Sequence, residues 1–257
     1  MPELPEVEMY TRYFAQHALR QRIARVRVLD ERILGRTRKT AFVRGLTGRE
    51  FLDVRRHGKH LFVHSSDTWL HLHFGMTGDL AYYDGDPPRF ARVIFDFANG
   101  KHLAFEDMRL FGYAELSSDP DTYIRENGLG PDPLQIDLRE FRARLAKRRG
   151  AIKAVLMSQD VIAGVGNLYA DETLYRSGID PRRTVDKMST AEVRRVFGEM
   201  RRVLEETIEF KSHGGDYPAR FLVHHREEGD RCPRCGGTIA RTVVGGRTTY
   251  YCARHQR

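Results

Sequence analysis

The 257-residue chain has little cysteine, a single tryptophan and no long apolar run. A membrane-spanning helix needs an apolar stretch of ~20 residues, so none is expected. The opening MPELPEVEMY carries Glu3, Glu6 and Glu8 and no Lys or Arg, the reverse of the basic-then-apolar layout of a secretory signal. A cytoplasmic protein without a membrane partner is therefore expected. The cysteines Cys232, Cys235 and Cys252 cannot pair evenly and all lie near the C-terminus, which suits a local metal site better than a disulfide framework. Nucleotide-binding signatures are missing too: Gly164-Val-Gly166 lacks the third glycine of a dinucleotide fingerprint, and no GxxxxGK[ST] is present. With no G-x-S-x-G and no HExxH, the common hydrolase chemistries are not indicated, and no organic cofactor is expected.

What the chain has in excess is positive charge. Forty-three Lys and Arg face thirty-five Asp and Glu, a formal charge of +8 and a pI near 9.5. Basic residues concentrate from Arg20 to Lys59, from Arg139 to Lys153, and in the last segment from Arg220 onward. Any one of these runs alone reads better as solvated surface. Three together point to a face that binds a polyanion, nucleic acid above all.

Hydrophobic periodicity divides the chain into regions of different character. Val7, Tyr10, Phe14 and Ala18 recur at helical spacing, with Pro5 tolerable in the first turn. Short runs follow, rich in aliphatic and aromatic residues and partly alternating: Ile23 to Leu29, Phe51 to Arg55, Leu61 to His64, Thr68 to Phe74, Leu80 to Tyr83, Ala91 to Phe97, His102 to Phe105 and Phe111 to Leu116. Turn residues, including Asn99-Gly100, separate them, which predicts a β-sandwich or barrel. The stretch 118–136, with Pro120, Gly128, Gly130, Pro131 and Pro133, reads as a linker. Asp137-Leu-Arg-Glu140 and Ser189-Thr-Ala-Glu192 have capping-box form and open amphipathic helices over 138–148 and 190–210. Shorter helices are expected near Ile152 to Met157 and from Asn167, and a hairpin around Gly245-Gly246. The expected class is α+β and multidomain: a β-sandwich domain over 1–117, the linker, a helical domain over 137–223 and a metal finger over 224–257.

The finger is the most specific local signal. Cys232-x2-Cys235, sixteen residues, then Cys252-x2-His255 offers four ligands as two short bites flanking a hairpin. One structural Zn2+ prefers such a tetrahedral S/N set, with no open position left for catalysis. His224 and His225 are rival ligands that lack a paired cysteine.

The start Met1-Pro2-Glu3-Leu4-Pro5-Glu6-Val7-Glu8 resembles that of the formamidopyrimidine-DNA glycosylase/endonuclease VIII family of base-excision repair enzymes. The resemblance continues through Gly58-Lys59, His73-Phe-Gly-Met76-Thr-Gly78, Arg109-Leu-Phe111-Gly112, Gly164-Val-Gly-Asn167-Leu-Tyr-Ala170-Asp-Glu172 and Gly246-Arg247-Thr-Thr-Tyr-Tyr-Cys252. It implies an N-terminal helix on a β-sandwich, a helix-two-turn-helix domain, a zinc finger, and a bifunctional DNA glycosylase/AP lyase acting on damaged double-stranded DNA. By that resemblance Pro2, freed of Met1, is an amine nucleophile at the sugar C1′. Glu3 is its acid/base, and Glu6 orients groups there. Lys59, Asn167, Arg247, His73 and Lys153 are expected on the DNA backbone. Met76, Arg109 and Phe111 match the residues that enter the stack when a base is flipped out. Nothing suggests more than a monomer, associated with the nucleoid if the source is bacterial.

Two departures bear on substrate. His255 replaces the family's usual fourth cysteine, an exchange that zinc accepts. The segment from Gly214 to Cys232 is short where formamidopyrimidine-DNA glycosylases carry a longer loop over flipped 8-oxoguanine; the shortness resembles the endonuclease VIII branch, which acts on oxidised pyrimidines, while Met76, Arg109 and Phe111 resemble the other branch, so oxidised purines and oxidised pyrimidines both stay open. Other classes stay open on residues alone: a non-catalytic zinc-finger protein binding damaged DNA, or an RNA-binding β-barrel protein.

Overall fold

A computed structural model describes all 257 residues, which form two compact units, Met1–Gly128 and Leu129–Arg257. No helix is long and apolar enough to cross a membrane.

The first unit opens with helix α1 (Leu4–Ala18), whose N-cap is Glu3 and whose Leu4, Val7, Phe14 and Ala18 face inward. Strands follow in chain order: β1 (Ile23–Val28), β2 (Asp53–His57), β3 (His60–Ser65), β4 (Thr68–His73), β5 (Gly78–Tyr83), β6 (Ala91–Phe97), β7 (His102–Asp107) and β8 (Tyr113–Ser117). They form two antiparallel four-stranded sheets, β1-β6-β7-β5 and β2-β3-β4-β8. Leu61, Val63, Leu70 and Leu72 of one sheet meet Val93, Phe95, Leu103 and Phe105 of the other in a common core that also takes in Val7 and Phe14. Burying each such aromatic or aliphatic side chain contributes about 1.5–3 kcal/mol. The expected β-sandwich beneath an N-terminal helix is the observed arrangement.

Two helices depart from expectation. Helix α2 (Lys39–Leu46), of which only Phe42 and Leu46 are buried, lies inside the first basic segment. A stripe of two residues is too short to stand out as a period. Helix α3 (Pro120–Glu126) lies in the stretch expected to be a linker. Asp119 caps it by accepting the Thr122 N–H at 2.9 Å, and Pro120 fills the first turn. The Asp-Pro pair that reads as a breaker is here a helix start, because a first-turn proline forfeits no intrahelical bond. Strand β8 also begins at Tyr113, which leaves Phe111 in the preceding loop.

The second unit holds α4 (Leu138–Ala146), α5 (Ile152–Leu156), α6 (Asn167–Ser177) and α7 (Thr190–Ser212), then the hairpin β9 (Ile239–Val244) and β10 (Arg247–Cys252). Ser189 and Glu192 form the expected reciprocal capping box at α7. Asp137 caps α4 by accepting the Glu140 N–H at 2.8 Å. Gly245 and Gly246 both have positive φ, 57° and 72°, which a two-residue hairpin turn of this hand requires.

Candidate functional site

The N-terminus is placed by α1. Pro2 is partly exposed and Met1 is 57 % exposed, while Glu3 is only 2 % exposed. Glu3 and Glu6 share a capping box in which the Glu6 carboxylate accepts the Glu3 N–H at 3.0 Å. The helix is locked against the sandwich by Tyr10, which stacks on Phe74 at 4.3 Å and donates to the Gly78 carbonyl at 3.2 Å. Burial raises the Tyr10 hydroxyl pKa, so it stays a donor.

Lys59 occupies the second position of the two-residue turn Gly58-Lys59 between β2 and β3, where Gly58 supplies φ 56°. A chain of contacts ties this turn to α1: the Glu8 carboxylate accepts from Arg56 Nε at 2.9 Å, and Arg56 donates onward to the Gly58 carbonyl at 3.1 Å. Glu8 and Arg56 were not singled out as site residues. Glu8 closes the N-terminal motif without a chemical role of its own there, Arg56 lies in no motif, and only the fold brings them to the turn.

Two loops carry the stack-entering candidates. Met76 lies between β4 and β5 and is 41 % exposed; Phe111, between β7 and β8, is 54 % exposed. Arg109 sits over the Phe111 ring at 4.6 Å. The loops touch backbone to backbone: a Cβ on Gly75 would lie 2.3 Å from the Phe111 carbonyl carbon, and one on Gly112 would lie 2.5 Å from the His73 oxygen. Asp107, fully buried, organises both. Its carboxylate accepts the Arg109 N–H at 3.0 Å, the Gly112 N–H at 2.6 Å and the Thr77 hydroxyl. Leu110 between them is held at φ 56°, a left-handed conformation costly for a branched side chain. Asp107 too was missed in the sequence; its signal was the second of two adjacent acids, Glu106-Asp107, at the end of an apolar run.

His73 ends β4 and belongs to a row of imidazoles on the outer face of its sheet. Register pairs His57 with His60, His60 with His73, and His73 with Tyr113. Burial, with smaller contributions from His71 and Lys59, lowers the His73 pKa to about 4. His60 and His71 are also pushed below the ordinary histidine value, burial again being the main cause. His73 regains its ordinary value of 6.5 on unfolding, so below that pH the unfolded chain binds a proton that the folded chain refuses until about 4. Stability of the first unit should therefore fall as pH drops through this window, by up to about 1.4 kcal/mol per pH unit for each such ring. Trp69, the single tryptophan, lies in β4 and reports this unit. Denaturant melts followed by its fluorescence should show a lower midpoint at about pH 5 than at about pH 7. An unchanged or higher midpoint would contradict neutral rings.

In the second unit Gly166, not Asn167, is the N-cap of α6, so Asn167 is the first helical residue. Its side-chain oxygen is buried without a hydrogen-bond partner. Arg247 opens β10 at the hairpin tip and is exposed. Lys153 departs from the expectation of a backbone contact: it is fully buried in α5, with its ammonium 2.7 Å from Asp171 Oδ1. It also donates to the Thr249 hydroxyl at 2.7 Å and the Thr248 carbonyl at 3.2 Å. Asp171 further pairs with Arg226 at 3.1 Å and accepts the Tyr250 N–H at 3.3 Å. Lys153 thus fastens β10 to α5 and α6 rather than reaching outward, a role that a basic residue in a basic stretch does not reveal. Glu172, next to Asp171, accepts the Leu222 N–H at 2.7 Å, and burial pushes its carboxyl up to about 8.

The donor atoms of Cys232, Cys235, Cys252 and His255 all lie within 4.8 Å of one another. Cys235 and Cys252 sulfurs are 3.4 Å apart, and Cys232 Sγ is 3.6 Å from His255 Nδ1. Tetrahedral zinc with ordinary Zn–S and Zn–N bonds spaces its ligands by roughly 3.5–3.8 Å, so the set fits one ion. His255 Nε2 lies 3.2 Å from the Tyr175 carbonyl, to which it donates, leaving Nδ1 for the metal. These residues would hold one structural Zn2+, whose chemistry here is to tie the two chain segments together. His224 accordingly is not a ligand: its Nε2 faces the Tyr217 carbonyl at 3.3 Å.

The formamidopyrimidine-DNA glycosylase N-terminal domain matches residues 1–114, the H2TH domain of the same enzymes residues 129–217, and the zinc finger found in FPG and IleRS residues 229–254. The chain is 38 % identical to the formamidopyrimidine-DNA glycosylase of Pelotomaculum thermopropionicum, covering 100 % of this chain and 99 % of that protein. It is also 38 % identical to the Moorella thermoacetica protein of the same name, over 94 % of each chain. Among solved structures, the Lactococcus lactis enzyme bound non-covalently to DNA containing an AP site superposes with a TM-score of 0.89 at 28 % identity, covering 99 % of each chain. A MutM complex with carbocyclic 8-oxo-G-containing DNA gives 0.90 at 28 % identity over 100 % of each chain. With its two domains, the finger that carries Cys232, Cys235 and Cys252, and its whole length matched in this way, the chain belongs to the formamidopyrimidine-DNA glycosylase family.

Proposed function

We infer that this protein is a bifunctional DNA glycosylase/AP lyase of base-excision repair. It removes oxidised bases of the formamidopyrimidine/8-oxoguanine type from duplex DNA through a Schiff base at Pro2, then nicks the strand by β,δ-elimination. The observation that carries the reading is the start of α1, where a buried carboxylate, Glu3, directly follows Pro2, whose nitrogen is a secondary amine once Met1 is removed. That amine attacks the sugar C1′, the base departs, and the resulting iminium acidifies the sugar for elimination. Glu3 delivers and removes protons, and Glu6 fixes the Glu3 backbone. Lys59 and His73 of the first unit, and Asn167 and Arg247 of the second, hold backbone phosphates; Met76, Arg109 and Phe111 fill the space of the flipped base. The catalytic sandwich is read as 1–117, the helical domain as 137–223 and the finger as 224–257, in a cytosolic protein acting on DNA.

One observation favours a second substrate reading. Only residues 213–221 separate α7 from the 3-10 turn Leu222–His225, a short span for covering a purine, which favours oxidised pyrimidines. Single-turnover cleavage of duplexes carrying formamidopyrimidine, 8-oxoguanine, thymine glycol, dihydrouracil or an abasic site separates the two. Cleavage of none of these, with intact binding, would leave a non-catalytic damage binder.

Asp107 offers a further test of the stack-entering loops. Asp107→Ala removes three hydrogen bonds that set Arg109, Gly112 and Thr77. Loosening those groups by an ångström costs about 10²-fold in base excision. Cleavage at a pre-formed abasic site, where no base is flipped, should fall much less. Equal losses on both substrates would show that Asp107 serves the fold alone.

A further inference from the structure

Beneath α3, the outer face of the β2-β3-β4-β8 sheet contains a line of three side chains that the reaction above does not use. Glu115 Oε2 accepts the Arg36 N–H at 3.0 Å, and Glu115 Oε1 lies 3.3 Å from His71 Nδ1. His71 Nε2 in turn lies 3.0 Å from His60 Nδ1. His71 is fully buried, stacked on Phe62 at 4.5 Å and covered by Tyr123 of α3 at 4.2 Å. The Arg55–Asp121 pair, 2.6 Å, and the Tyr113–Tyr123 hydroxyl contact, 2.9 Å, hold α3 over this face. At the other end, His60 follows Lys59 in the chain and is paired in register with His73.

These contacts set a direction. An ionised carboxylate only accepts, so His71 Nδ1 carries the proton and His71 Nε2 presents its lone pair. His60 Nδ1 must then donate, which leaves a lone pair on His60 Nε2. His73 is oriented likewise, since its Nδ1 accepts the Gly75 N–H at 3.3 Å and its proton therefore sits on Nε2.

A proton arriving at His60 Nε2 can pass inward without creating a buried imidazolium. His60 gives its Nδ1 proton to His71 Nε2, His71 gives its Nδ1 proton to Glu115, and Glu115 becomes a neutral acid. One proton enters and two shift, only N–H and O–H bonds change, and a buried charge is removed rather than added. His60 then presents an N–H where it had a lone pair. Burial and the neighbouring imidazoles oppose protonation of His60, with the Lys59 ammonium adding to them, and the hydrogen bonds from His71 and Arg36 hold the Glu115 carboxyl below its ordinary value. The Arg55–Asp121 pair is internally balanced, and His57, His73, Tyr113 and Tyr123 are the remaining titratable neighbours. An anion seated on Lys59 removes that opposing charge and shifts the balance toward uptake.

We propose that Glu115, His71 and His60 form a proton wire that couples phosphate binding at Lys59 and His73 to the uptake of one proton. The inference rests on the reading of Lys59 and His73 as backbone ligands. Calorimetric titration of the zinc-loaded, full-length protein with a duplex carrying a tetrahydrofuran abasic analogue tests it, run near pH 6.5 in two buffers of different ionisation enthalpy. Wild type should take up between about 0.5 and 1 proton per complex, with affinity tightening by up to tenfold per pH unit as pH falls. His71→Phe, which keeps a ring beside Phe62, should take up close to none. Glu115→Gln should behave the same, since it keeps an acceptor for Arg36 N–H but cannot receive the proton, and it stands in if the phenylalanine variant misfolds. Tight binding with no uptake in wild type, or with equal uptake in both variants, overturns the wire alone. Wild type that fails to bind the duplex overturns the phosphate reading and the wire with it.

Discussion

Protein that keeps Met1 should form no borohydride-trapped adduct with an abasic-site duplex, whereas protein beginning at Pro2 should be trapped in proportion to its amount. In the Met1 form the Pro2 nitrogen is an amide, its lone pair delocalised into the carbonyl, and it cannot condense with an aldehyde. The Met1 amine is no substitute. It lies one residue outward, about 3.8 Å along the chain, and displacement of a reacting group by even 1 Å costs on the order of 10²-fold. Intact-mass measurement gives the fraction of chains starting at Pro2, and trapping gives the active fraction; the two should agree. Adduct formation by a preparation that retains Met1 throughout would remove Pro2 as the nucleophile. Glu3→Gln completes the test. Loss of a general acid lowers base excision by about 10²–10⁴-fold, while condensation with a pre-opened abasic aldehyde is much less dependent on it.

Removing zinc should have an effect of similar size on the second unit. The finger has almost no core of its own: Leu222, Ile239 and Tyr175 pack chiefly around the buried Cys232 and Cys252. A two-stranded hairpin is marginal in water, and a structural zinc site contributes on the order of 10 kcal/mol to folding. Chelation, or Cys252→Ser, should therefore unfold the β9–β10 hairpin and release Arg247 from its fixed place. DNA affinity should fall by at least about tenfold, and the slope of log K against log salt should lose roughly one phosphate contact's worth. Trp69 fluorescence should stay native, because the first unit has its own core. Filter binding at several salt concentrations, with Trp69 emission recorded on the same samples, checks both. Unchanged affinity after verified metal loss would exclude Arg247 as a phosphate ligand.

Legibility differed by kind of feature. Short apolar runs such as Leu61 to His64 and Ala91 to Phe97 could be read as strands because they are rich in aliphatic and aromatic residues, brief, and bounded by turn residues. The zinc set was legible because short bites of Cys and His leave few other readings. Helix α3 was obscured because Asp119-Pro120 serves equally as a loop and as a helix start, and which it becomes depends on a sheet face for Tyr123 to cover. The charged residues were the least legible. Lys153 and Lys59 look alike in the chain, yet one is buried on Asp171 and the other lies at a hairpin turn.

By itself the sequence determined the order of the units, the sandwich and the metal ligands, and set Glu3 directly after Pro2, since these depend on local spacing and on chemistry carried within a few residues. Only the tertiary structure decided which polar groups act on one another: Asp107 beneath the Arg109 and Phe111 loop, Arg56 between Glu8 and the Lys59 turn, and Glu115, His71 and His60 in one line. Each of these sets joins residues from separate strands or helices. A buried charge or hydrogen bond is governed by its neighbours in space and by the loss of water around it, and neither is encoded at any single position of the chain.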